Sequence, residues 1–381
     1  MSANRKTDYY MRFIVSSSIL LKNLQSIGGI ISTNNVLPIL ESFLFDLRKD
    51  KLSIVSTDLE TMMKVHMDVQ STEEGSVCIQ AKVLLEYLKN LPEQPITFEI
   101  NLGDYGIDIT SEQGKYKIVG EDAKSYPTEP DAEDIDTFTM SAAELSDGIA
   151  KTIIAVSNDD IRPAMSGVFF ELGKSNLTFV ATDAHRLVRC VKTDVRCPIE
   201  TSFIVPRKAL NQLKNNLSSS TEVKVSFNTN HLFVEGEHIQ LSSRLIDAKF
   251  PDYKVVIPAD SPFTLTLTKA EFVSALRRVS VFANKTTNQV VLDIVGNNLH
   301  LYAQDVDFSF EGNEQLPCQY DGDDMKIAFN ARLLLELVVA LDSEEIKFEL
   351  STPNRAGIVK PAEKKENEDL LMLLMPLMIG S

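Results

Sequence analysis

The chain has 381 residues, with 38 Lys and Arg against 54 Asp and Glu, a formal charge of -16, four cysteines and no tryptophan. At 44% hydrophobic and 24% charged residues the composition is that of a folded globular protein, which excludes wholesale disorder. The acidic balance argues against a protein that coats nucleic acid with a basic outer surface, and at roughly 100–200 residues per domain the length holds about two to four domains.

Residues 1–10 have no apolar h-region, so they read as an extension rather than a signal peptide. Periodic sequence begins at Met11. A short strand through Phe13, Ile14 and Val15 leads to Ser16, an N-cap, and then to a helix over 17–31 with apolar residues at helical spacing. A second strand and helix follow, with the helix over 81–91. The same pair of units recurs with helices over 142–157 and 206–217, and again over 269–284 and 331–341. The three caps, Ser16, Ser141 and Thr268, are 125 and 127 residues apart, and Ile79, Ile204 and Ile327 repeat at 125 and 123. Strands ending at Asp58, Asp183 and Asp305 give a third landmark. Three copies holding one period fix a threefold repeat.

Between the helices the chain alternates in the manner of Lys51-Leu52-Ser53-Ile54-Val55 and is rich in Val, Ile, Phe and Thr, the pattern of half-buried strands. Each copy therefore reads as an α+β domain with two helices packed on antiparallel sheet. Pro- and Asp-rich joints at 126–136 and 258–262 divide the chain into an extension (1–10) and domains over 11–134, 135–260 and 261–381. The apolar run 370–379 is too short for a membrane span and is broken by Pro376, so it reads as a buried terminal strand. Scattered cysteines and histidines give no metal or cofactor spacing and point to a reducing, cytosolic setting.

The predicted helices carry eleven basic and five acidic residues, a charge of +6 that leaves -22 elsewhere. Tandem copies form a ring if the chain dimerises head to tail, and basic helices facing a hole would track a phosphate backbone without reading bases.

The chain resembles the bacterial sliding-clamp family, the β subunits of the DNA polymerase III holoenzyme. The resemblance runs from about residue 11 to 379. It rests on Leu37-Pro38-Ile39-Leu40, Ser56-Thr57-Asp58-Leu59-Glu60, Ala181-Thr182-Asp183-Ala184-His185-Arg186-Leu187, Ile204-Val205-Pro206-Arg207-Lys208, Phe250-Pro251-Asp252-Tyr253 and Met375-Pro376. It implies a non-catalytic, head-to-tail homodimeric ring of six similar domains with helices lining the hole. The implied partners are double-stranded DNA, the polymerase III catalytic subunit, the clamp loader and repair proteins, the protein partners bound through short linear peptides.

Carried over residue by residue, the peptide pocket comprises Met165, Thr182, His185, Arg186, Leu187, Pro251, Val256, Leu373, Met375, Pro376 and Leu377, with His185 and Arg186 as polar rim. Flexible Met and Leu side chains suit a groove that accepts many partners. The DNA candidates are Lys22, Lys82, Lys89, Lys151, Arg207, Lys208, Lys214, Arg277 and Arg278. The dimer seam joins the first domain to the third, through Lys115 and Lys117 against Asp307, Glu311 and Glu314, with Val281 and Phe282 beside them.

The sequence departs from the family in four places. Val255 stands where some relatives are basic, and the chain ends without their basic residue. Thr33-Asn34-Asn35 lacks an arginine, and the segment 159–164 lacks tyrosines that relatives place there. Two other readings stay open on the residues alone. One is a three-domain peptide scaffold that does not encircle DNA. The other is a hydrolase centred on Asp183 and His185, which lacks a nucleophile elbow.

Overall fold

Six strands each run directly into a helix; Ser16 and Asn330 cap theirs with side-chain oxygens, whereas Thr268 and Gln80 make no side-chain capping bond to theirs. Ser16 is extended (φ -67°, ψ 131°) and its hydroxyl accepts from Ile19 N at 3.5 Å, opening α1 (Ser17–Gly28). The others are α2 (Ala81–Lys89), α3 (Ala142–Thr152), α4 (Arg207–Asn216), α5 (Lys269–Val279) and α6 (Ala331–Val339). The computed structural model describes residues 10–32, 37–71, 73–159, 161–217 and 221–379. The extension over 1–9 and the Thr33-Asn34-Asn35 loop lie outside the described residues.

The helices end earlier than the apolar periodicity predicts. After α3 and α5 the chain tightens into 3-10 turns, Ile153–Ala155 and Ser280–Phe282, which keep residues near the core without continuing the α ladder. Each helix buries one stripe: Leu20, Leu24 and Ile27 in α1, and Phe272, Leu276 and Val279 in α5. Within the first repeat Phe13 and Phe98 stack at 4.8 Å with Phe45 beside both, and within the third Phe272 meets Phe348 edge-on at 5.5 Å. Burying rings of this size contributes roughly 1.5–3 kcal/mol each.

The chain forms two compact units, Met1–Ala143 with Lys208–Leu245, and Glu144–Arg207 with Ile246–Ser381. The first unit contains a five-stranded sheet ending on the strand Lys115–Val119 and a nine-stranded sheet. That larger sheet joins the first repeat to the second, where Thr61–Asp68 pairs antiparallel with Ile239–Arg244. The second unit repeats the plan: its nine-stranded sheet joins the second repeat to the third where Arg186–Lys192 pairs with Glu368–Leu374, and a four-stranded sheet ends on Phe310–Pro317. The middle repeat thus contributes strands to both large sheets. The terminal apolar run is a buried strand only as far as Leu374; Met375 and Met378 are exposed.

Candidate DNA-facing helices, peptide pocket and subunit edges

The observed helices hold the same eleven cations and five anions as the predicted ones, but the structure separates them into two kinds. Lys22, Lys82, Lys89 and Arg277 are exposed and carry no ion pair to a described residue. Lys151 is 3% exposed, its ammonium bonded to Asp147 Oδ2 and Glu368 Oε1 at 2.8 Å each, in a cluster that also holds Lys192. That corrects its place among the DNA candidates: a buried, fully engaged ammonium has no charge to offer a phosphate. Lys208 is bonded to Asp58 at 2.5 Å and to the Ile30 carbonyl at 2.7 Å. Arg278 makes a two-bond pair with Glu314 (2.7 and 2.6 Å), and Arg207 bonds Asn158. Lys214 is half-buried on α4. The helices therefore present fewer free cations than their composition suggests.

The repeated aspartates build one turn. Asp58 Oδ1 accepts from the amides of Glu60 and Thr61 (3.1 and 2.7 Å), and Asp183 Oδ1 from those of His185 and Arg186 (2.9 and 3.0 Å). Leu59 (φ 79°) and Ala184 (φ 75°) take the same left-handed position between them. Asp183 spends its other oxygen on Arg186 Nε at 3.0 Å, while His185 is exposed. Neither carboxylate oxygen meets the imidazole, so the dyad a hydrolase would need is not assembled. Arg186 is 7% exposed and also bonds Glu336 Oε2 on α6 at 2.7 Å. It braces the turn from below instead of lining a rim, which corrects the expectation.

All eleven candidate pocket residues belong to the second unit. Leu187 and Leu373 face each other across paired strands, and Met375 N donates to the His185 carbonyl at 2.9 Å. Leu187 and Leu373 belong to one buried cluster with Phe250 and Tyr253, which flank Pro251. Thr182 is buried and donates to the Arg186 carbonyl at 2.7 Å, while half-buried Met165 follows Ala164, which packs on the cluster. Val256 (50%) and Met375 (43%) remain exposed; Pro376 and Leu377 are half-buried, with Leu377 N bonded to the Ala328 carbonyl. The arrangement is a buried apolar floor, Leu187 and Leu373, with Val256 and Met375 exposed beside it. Val255, 75% exposed, adds apolar surface beside Val256.

Each unit ends a sheet on an open edge. The strand Lys115–Val119 pairs only with Gly106–Thr110, and Phe310–Pro317 only with Asn298–Asp305, among the described residues. Lys115, Lys117, Asp307 and Glu311 are exposed; Glu314 is half-buried and committed to Arg278 within its own chain. Val281 (61%) and Phe282 (39%) are exposed, as are three residues the sequence did not flag, Val306 (76%), Phe308 (67%) and Phe310 (49%), the last two with rings stacked at 5.8 Å. Phe308 lies in the turn before the strand Phe310–Pro317, where Ser309 is left-handed (φ 55°), so the side-by-side rings follow from the turn and not from strand alternation. Tyr116 and Val119 are exposed on the other edge.

Among the described residues, no helix is long and apolar enough to cross a membrane. Sequence models of the DNA polymerase III beta subunit match in order: the N-terminal domain over residues 11–130, the central domain over 139–252 and the C-terminal domain over 254–377. Beta sliding clamps of Pseudomonas aeruginosa and Vibrio cholerae are each 26% identical, across 96% of this chain and 100% of theirs. Among solved structures, a DNA polymerase III beta subunit from P. aeruginosa superposes with a TM-score of 0.90, and one from Thermotoga maritima with 0.89. Both are 25% identical and cover 97% of this chain and 100% of theirs. Three tandem clamp domains, matched in order along almost the whole length, place this chain in the DNA polymerase III beta subunit family.

Proposed function

We propose that this chain is a DNA sliding clamp: a non-catalytic processivity factor whose two copies join head to tail around duplex DNA and hold the replicative polymerase beside it. The observation that carries the reading is the pair of sheet-end strands of opposite charge, Lys115–Val119 and Phe310–Pro317, on a chain of three tandem clamp domains, 11–134, 135–260 and 261–381. Pairing the Lys115–Val119 edge of one copy with the Phe310–Pro317 edge of the next extends both sheets and sets Lys115 and Lys117 against Asp307 and Glu311. Lys22, Lys82, Lys89 and Arg277 supply sequence-independent attraction to phosphates, while the acidic remainder keeps the ring from adhering elsewhere. The polymerase, clamp loader and repair proteins dock short peptides in the pocket over Leu187 and Leu373. A cytosolic site of action follows. Tethering raises the effective concentration of a released polymerase, so it rebinds before diffusing away.

The deciding experiment loads the protein on nicked circular duplex with a clamp loader, washes it in high salt and then linearises the DNA. Retention on circles and loss from linear DNA is the expected result; equal retention on both forms favours the scaffold reading instead.

The division of the cations makes a second prediction. Lys22→Glu and Lys89→Glu each weaken binding to duplex DNA and lower the slope of log affinity against log salt by about one phosphate contact. Lys151→Met, checked for native circular dichroism at low temperature, leaves that slope unchanged. Salt titrations by fluorescence anisotropy distinguish the two classes.

A further inference from the structure

The outer face of the second unit's large sheet carries a polar groove next to the peptide pocket. Strand alternation sets this up. In Arg186–Lys192, Val188, Cys190 and Lys192 lie on one face, where Lys192 meets Asp147 of α3; Leu187, Arg189 and Val191 lie on the other. Register then arranges that second face in rows. The pocket floor is Leu187 opposite Leu373. One step along, Phe169, Val180, Arg189 and Leu371 form the next row, and beyond it Ser202, Glu171, Thr178, Val191 and Asp369 form a polar one. Each step of two residues is about 7 Å, so the polar row lies roughly 14 Å from the pocket floor.

Tyr253 separates the two zones. It packs into the buried cluster with Leu187 and Leu373, and its hydroxyl donates to Glu171 Oε2 at 2.6 Å. Beyond it lies a cavity of about 510 Å³ lined by Glu171, Thr178, Arg189, Glu200, Ser202 and Lys254, among others. Most of its charges are already matched: Lys254 bonds Glu171 at 2.8 Å, and Arg189 bonds Asp369. Two groups are left over. Arg189 Nε is buried with no acceptor among the described residues, and exposed Glu200 has no ion pair to one.

We infer that this groove is a second subsite for the partner peptide, taking the flank that leaves the apolar pocket and preferring a flank with Lys or Arg. The flank's cation pairs with exposed Glu200. An extended chain rises about 3.3 Å per residue, so a flank of four or five residues reaches the polar row. The inference rests on the proposed pocket.

The test uses the full-length protein and 15-residue peptides tiled along the polymerase III catalytic subunit of the same organism. The tightest binder is trimmed to its apolar core, then re-extended at either end with alternating Gly and Lys or Gly and Glu. Anisotropy should show the Lys flank, at one end only, binding roughly fivefold tighter than the core, and the Glu flank giving no gain. Glu200→Lys should abolish that gain and leave the core's affinity unchanged. Equal affinity for Lys and Glu flanks, or a gain that survives Glu200→Lys, overturns the groove while leaving the pocket standing. Met375→Ala should weaken every peptide roughly tenfold. If it does not, or if no peptide binds, the pocket reading fails and the groove fails with it.

Discussion

Glu368→Ala should destabilise the second unit by about 3–5 kcal/mol, because it leaves buried Lys192 and Lys151 sharing Asp147, with only the more exposed Asp342, 3.6 Å from Lys151, to add to it. Glu368 is 6% exposed at its side chain and bridges Lys151 and Lys192, themselves 4% and 6% exposed, while Asp147 completes the square. The cluster ties the last strand to α3 and to the strand Arg186–Lys192, so the cost falls on the element that supplies Leu373 and leads to Met375. Urea unfolding should show a lower midpoint for this variant. A midpoint within error of the unsubstituted protein would mean that the pairs contribute no more than surface ones.

The same cluster predicts a pH dependence. Burial by itself would push the Asp147 carboxyl up, but hydrogen bonds from Lys151 and Lys192 outweigh it and hold the group well below the usual carboxylate range. Its folded value is therefore lower than its unfolded one. The stability it contributes is present above the ordinary value of 3.8 and is lost as pH falls below it. Lys151 is shifted the other way: burial would lower it, and bonds to Asp147 and Glu368 raise it. Its contribution is full below the ordinary value of 10.5 and is lost only in strong alkali. Acid unfolding of the unsubstituted protein should therefore steepen below pH ~4, and less so in Asp147→Asn.

The second large effect concerns assembly. Phe308→Glu combined with Phe310→Glu should convert a dimer to a monomer by light scattering, raising the dissociation constant at least about a hundredfold. Phe308 is 67% and Phe310 49% exposed, so the charges fall on surface within a single chain and the far-ultraviolet circular dichroism should not change. In a dimer they would be buried, unpaired, against the Tyr116 and Val119 edge. The doubly substituted protein should also slip from nicked circular DNA. A variant that stays dimeric would place the seam elsewhere.

Much of this architecture was readable in advance. Helix starts are marked by short-range chemistry, Ser16 capping α1 in the structure as its position predicts, and the threefold period needs only residues compared with their copies. The Asp58 and Asp183 turns are likewise local, since each carboxylate satisfies amides two and three residues ahead. Helix ends were less legible, because a 3-10 turn keeps apolar spacing while changing its hydrogen bonds. Of the pocket, the residue set followed from family resemblance, but the burial of Arg186 did not, since Glu336 lies 150 residues away.

The sequence by itself determined a threefold repeated α+β chain, the family it belongs to, and helices carrying +6 on a body of -22. Only the tertiary structure decided which of those charges remain available. Lys22 and Lys151 are the same residue type on equivalent helices, yet one is exposed and the other is neutralised by Glu368, 217 positions along the chain. It also decided that the middle repeat shares its strands between two large sheets, and that the strands Lys115–Val119 and Phe310–Pro317 each stand at the end of a sheet. Strand pairing and charge pairing at such separations depend on where the folded chain returns, which no local pattern of residues specifies.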